Sequence, residues 1–144
     1  MEIRVEDEQI IRKLSKLQNR TSNMTSVMRD SSIIMKNSVL HSFDTQSDGK
    51  RKWKDLSPGY KKYKKKKQGT AYPILVSHNR LKQSINTRHG KHFAQVYTGV
   101  KYGAVHQLGS KKKNIPARPF MVIHNNYKNM IIKRIREALK EASK

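Results

Sequence analysis

The sequence predicts an α+β fold, with N-terminal helices and a C-terminal helix packed on a small antiparallel β-sheet and a long basic loop between them. Three observations predict it. Apolar residues recur at steps of three and four before residue 44 and again after residue 121. Two short alternating runs flank a glycine between residues 81 and 98. From residue 45 to residue 73 the apolar periodicity vanishes, while lysine becomes the dominant residue.

In chain order, Ile10, Ile11, Leu14 and Leu17 keep helical spacing behind an acidic start. Thr21-Ser22-Asn23 offers a break and a fresh cap. Met24, Val27, Met28, Ile34, Met35, Val39 and Phe43 then continue the pattern, as a second helix or the far half of a kinked one. Asp48-Gly49 and Ser57-Pro58-Gly59 read as turns, Trp53 as a lid over the core edge, and Lys61 to Lys67 as an exposed loop or poorly ordered arm. Residues 81–88 and 92–98 suggest a hairpin around Gly90, which can supply a positive φ. Phe93, Gln95 and Tyr97 would face one side of it and Ala94, Val96 and Thr98 the other.

Tyr102 to Gly109 fits one or two helical turns and fits strict alternation nearly as well. Ile115 to Phe120 must be extended, because Pro116 and Pro119 disfavour helix at Ile115 and Arg118. A helical stripe from Val122 to Leu139 closes the chain, with Lys128, Lys133, Arg136 and Lys140 on its opposite face. The 144 residues are read as a single domain: helices over 1–44, the basic loop over 45–73, sheet and motif over 74–121, and the last helix over 122–144.

Charge narrows the choice of partners. The formal net charge is +22, and no acidic residue occurs from Leu56 to Arg136. Such a surface favours contact with nucleic acid or an acidic protein. With no cysteine there is neither a disulfide framework nor a thiolate site. The start, MEIRVEDEQIIRKL, lacks the apolar core of a signal peptide, and no apolar run is long enough to span a membrane.

Catalytic chemistry finds little support. His106 has no acidic neighbour in sequence to orient its ring, and no Gly-x-Ser-x-Gly, phosphate loop or paired carboxylates occur. His89 and His92 are three apart, but His41, His78 and His124 are scattered and no cysteine or nearby carboxylate completes a ligand set. Neither a metal, a cofactor nor a small-molecule substrate is therefore expected. His106 reads as a structural histidine, Gln107 as a partner for backbone groups of its own turn, and Gly109 as the point of chain reversal. Arg118, stiffened by Pro119, presents a five-donor fork. The favoured reading is a clamp on backbone carbonyls or on Asp30, Asp44 or Asp55; the other is a contact to a neighbouring subunit. Phe120 would anchor the segment in the core.

Four runs, taken in order, resemble the phage virion morphogenesis, or tail-completion, family of contractile-tailed phages. They are SDGKRKWKDLSP with Gly49 and Trp53, ILVSHNRLKQSI, YGAVHQLG with Tyr102, His106, Gln107 and Gly109, and IPARPF with Pro116, Arg118, Pro119 and Phe120. The resemblance implies a structural protein, not an enzyme, acting in tail completion and head–tail joining. It implies a homo-oligomeric ring in contact with other neck or tail proteins, located in the virion and present in the host cytoplasm during assembly. Lys61, Lys62, Lys64, Lys65, Lys66 and Lys67, with Lys111, Lys112 and Lys113, are candidates for contact with DNA or an acidic partner if the two segments meet on one face. Tyr60, Tyr63 and Tyr72 could add stacking. The alternative reading is a basic nucleic-acid-binding module of a mobile element, which would bind as a monomer.

Overall fold

A computed structural model describes residues 8–144. The N-terminal pattern resolves into two helices, α1 (Glu8–Thr21) and α2 (Thr25–Thr45), not one kinked rod. The break falls where expected: Asn23 Oδ1 accepts from the Thr25 backbone N–H at 3.2 Å and the Thr25 hydroxyl at 2.6 Å, drawing the chain into a new first turn. The side chains of Ile10, Ile11, Leu14 and Leu17 lie outside the described set.

Strands β1 (Ile85–His89) and β2 (Ala94–Thr98) form the antiparallel hairpin, with Ile85 opposite Thr98 and His89 opposite Ala94. Ala94, Val96 and Thr98 are half-buried while Gln95 and Tyr97 are exposed, so the alternation has the expected hand. The reason for Gly90 is a correction. Its φ is not in the left-handed region; instead, a Cβ there would lie 2.4 Å from the Phe93 ring.

Helix α2 packs on the hairpin along one side and on the C-terminal helix α6 (Asn125–Ser143) along another, and α1 lies against α6. The core forms where α2 meets the hairpin and the connecting segments: Val39, Phe43, Trp53, Ile74, Leu81, Ile85 and Phe120 are all buried together. Each such side chain stabilises the fold by roughly 1.5–3 kcal/mol through burial. Phe43 is the hub, edge-on to Trp53 at 5.7 Å and tilted on Phe120 at 5.3 Å.

Three expectations are revised and one open reading is settled. The basic loop contains a helix, α3 (Pro58–Gln68), that carries the lysine run. Its start is well specified: Ser57 is an extended N-cap whose hydroxyl accepts from the Tyr60 N–H, and Pro58 opens the first turn. The ambiguous stretch is helical, α5 (Tyr102–Leu108), and a single turn, α4 (Arg80–Gln83), precedes β1. Val122 and Ile123 stand before α6, not within it. Ser38 holds the chain extended there, donating to the Val122 carbonyl at 3.0 Å and accepting from the His124 N–H at 2.8 Å.

Candidate functional site

The resemblance-bearing residues converge on one junction between distant segments. At its centre, the Arg118 side chain is buried and donates through Nε to the Lys54 carbonyl at 2.7 Å and through an Nη to the Asp55 carbonyl at 3.0 Å. The clamp thus closes on backbone, not on a carboxylate. Asp30 is taken by Arg134 at 2.9 Å, Asp44 by Lys82 at 2.5 Å, and Asp55 by the Lys61 ammonium. The guanidinium fork suits this work because two parallel donors can span consecutive carbonyls.

Hydrogen bonds tie the segments around Arg118 together. Its own N–H donates to the His106 carbonyl at 2.7 Å, tying the extended segment to α5. Gln107 Oε1 accepts from the Phe120 and Met121 N–H groups, at 3.0 and 2.9 Å. Gln107 therefore serves the extended segment, not its own turn. The indole of Trp53 donates to the Pro119 carbonyl at 2.8 Å, and the ring lies inside the core, not as a lid at its edge. Phe120 is fully buried.

Gly109 makes the reversal between α5 and the extended segment possible. Its φ is +76°, and a Cβ would approach the Ala117 backbone nitrogen to 2.8 Å. The antiparallel bridge between Ser110 and Ile115 follows immediately and sets Pro116 against the same junction. At the far side, Gly49 has φ +86° and a Cβ would strike His124 Nδ1 at 2.5 Å.

The histidines are structural in their surroundings. His106 Nδ1 is buried with no hydrogen-bond partner, and burial, aided by the Arg118 charge, pushes its pKa down. Tyr102 meets its ring edge-on at 5.9 Å. No carboxylate accepts from His106 among the described residues. His124 hydrogen-bonds the Ser42 hydroxyl at 2.8 Å, and its pKa is also lowered, by burial and then by nearby His41. Among the described residues no cluster of His, Asp and Glu could hold a metal ion.

The lysine candidates separate. Lys64 leaves the contact set, because it is only 3% exposed and donates to the Ala71 and Pro73 carbonyls at 3.2 and 2.7 Å. Its ammonium pins α3 to the chain that follows, and burial lowers its pKa. Lys61 is half-buried against Asp55 and stands 5.6 Å from the Tyr72 ring centre. Lys62, Lys65, Lys66 and Lys67 are exposed on α3, and Lys111, Lys112 and Lys113 are exposed on the turn after α5. Tyr60 and Tyr63 stack at 6.0 Å on the outside of α3, both exposed.

Between α3, α5 and the segment 110–118 lies an open cleft of about 1480 Å³, which Tyr60, Lys111 and Lys113 all line. Several contributors were not legible as site residues. Gln46, in the left-handed conformation, donates to the Phe43 and Ile74 carbonyls and accepts from the Ile74 N–H, splicing α2 to the core. Ser38 and Ser42 are wholly buried on α2, beneath the 122–124 segment. Their small size was the available signal, but they resemble ordinary polar helix residues in sequence.

This is the geometry of a structural α+β protein, in which the distinctive side chains hold backbone in place. The chain belongs to the phage virion morphogenesis family, which it matches over residues 5–140. It is 31% identical over 121 residues to the Mu-like prophage FluMu G protein 2 of Haemophilus influenzae, covering 81% of this chain and 78% of that one. FluMu G protein 1 of the same organism is 35% identical over 71 residues, 49% of this chain and 47% of the relative. An uncharacterised protein of Methanocaldococcus jannaschii is 41% identical over 75 residues, 49% of this chain. The match spans about half (54%) of that archaeal protein's length. No solved structure matches.

Proposed function

We propose that the protein is a non-enzymatic virion component that completes the tail of a phage or prophage particle and joins it to the head. It acts as a ring at the head–tail junction or upper end of the tail, against other neck or tail proteins. The observation that carries this reading is the family match across residues 5–140. The arginine-centred junction supports it, since a braced scaffold with exposed basic elements suits docking better than turnover. The exposed lysines of α3 and of the 111–113 turn are candidates to meet DNA or an acidic neighbour in the particle.

The test is deletion of the gene in a particle-producing strain, followed by electron microscopy of the lysate. Unjoined heads and defective tails, rescued by the gene in trans, are the expected result; normal joined particles would refute the role. Mass measurement of the purified chain tests the ring. A salt-resistant monomer binding duplex tightly would favour a nucleic-acid-binding module instead.

A further inference from the structure

We infer that the cleft between α3, α5 and the 110–118 segment receives the acidic N-terminal residues, Glu2 to Glu8, of a second copy of this chain. This contact rests on the ring reading above and supplies its joint. The receiving surface is both greasy and positive. Leu108 is 78% exposed at its edge, the most exposed large apolar side chain among the described residues, with Tyr60 at 47% and Tyr102 at 41% beside it. Lys54, Arg80, Lys111 and Lys113 are exposed around them. The one acid in the lining, Asp55, is engaged by Lys61 and by the Tyr72 hydroxyl. A duplex backbone would satisfy the cations and leave Leu108 uncovered, whereas a peptide with apolar anchors and carboxylates satisfies both.

The chain itself carries such a peptide. Its first eight residues, MEIRVEDE, hold Glu2, Glu6, Asp7 and Glu8 against a single Arg4, with Ile3 and Val5 among them; of these, Glu8 also meets Arg12 at 3.4 Å in a fully solvated pair that a partner's cations can replace. The other acids are committed or outnumbered. Asp30, Asp44 and Asp55 pair with Arg134, Lys82 and Lys61. Asp48 accepts from the Lys50 and Arg51 N–H groups. Glu137 and Glu141 sit among Lys133, Arg134, Arg136 and Lys140. In a chain of net charge +22, two copies repel unless an acidic segment of one meets a basic surface of the other. Helix α1, which follows the segment, lies against α6, and neither helix lines the cleft. Donor and receiver are therefore different surfaces, and a heterologous contact of that kind closes into a ring when its rotation permits.

A charge-swap experiment on the full chain tests this, read by sedimentation at low and moderate salt. Reversing Glu6, Asp7 and Glu8 together to Lys should weaken self-association at least about tenfold, and so should Lys111→Glu with Lys113→Glu. Combining both sets in one chain should restore it. Leu108→Glu, at an exposed position with no packing to lose, should weaken it as well. If either reversal leaves association at wild-type strength, the cleft assignment fails while a ring built on another surface survives. If the unaltered chain is monomeric, a labelled peptide of residues 1–12 is titrated onto it. Binding lost in the Lys111→Glu, Lys113→Glu chain keeps the contact and sinks the ring; no saturation by about 1 mM overturns the contact. A duplex DNA probe that loses binding to that same double variant, with self-association unchanged, overturns it in favour of nucleic acid.

Discussion

Arg118 and Lys64 are both buried cations that donate to a pair of backbone carbonyls, yet they do different jobs. Arg118 reaches Lys54 and Asp55, more than sixty positions away in sequence, and so locks the extended segment to the chain before α3. Lys64 reaches Ala71 and Pro73, seven and nine residues on, and so fastens one helix to its own exit. The first is embedded in a junction with Trp53, Gln107 and Phe120; the second is the one buried residue of a helix whose other lysines are exposed or, at Lys61, half-buried. The comparison teaches that burial of a charge is a local or a global device according to the sequence distance it spans.

The two sites can be broken separately. The largest effect is expected for Arg118→Ala, which takes the guanidinium from the Lys54 and Asp55 carbonyls and leaves a void where a buried side chain stood. A loss of about 2–4 kcal/mol should appear in urea unfolding. Arg118→Lys should recover only part of it, because an ammonium cannot reproduce the fork. Lys64→Met should cost about 1 kcal/mol or less, since the lost hydrogen bonds are offset by removing a desolvated charge. Its signature is instead faster amide exchange confined to residues 58–73, and a global loss equal to that of Arg118→Ala would erase the distinction.

The smallest effect concerns two histidines, His106 at the Arg118 junction and His124 beneath Gly49 on the far side. His106 and His124 have pKa values below the ordinary 6.5, from burial first. The unfolded chain therefore binds protons that the folded one resists. Their contribution is complete above about pH 6.5 and is lost as the pH falls through the interval below it. Melting temperature should drop between pH 7 and pH 5. His124→Gln should flatten part of that slope, whereas an unchanged slope would remove His124 from the account.

Much of the scaffold was legible in the sequence. Periodicity places α2 and α6, alternation places the hairpin, and two prolines keep Ile115 to Phe120 extended. Arg118 closes on carbonyls, which the favoured reading allowed. What escaped had physical reasons. Helix α3 carries almost no apolar residue, so periodicity is silent there; only Ser57-Pro58 marks its start, and that pair reads equally well as a turn. Lys64 is chemically the same as its neighbours, and nothing local reveals that it alone points inward. Tyr102 to Leu108 is too short for period 2 and period 3.6 to part company. Gln107 looked to its own turn because its true partners, at Phe120 and Met121, lie beyond the loop.

Trp53 is the single tryptophan of the chain, and its indole sits between Phe43 and the Pro119 carbonyl. The molecule therefore contains one optical reporter, lodged beside the arginine junction. Its emission will shift to longer wavelength when water reaches that seam, whether or not the helices have melted. Undocking of the motif from the core can thus be followed by light, separately from loss of helix, without attaching any label.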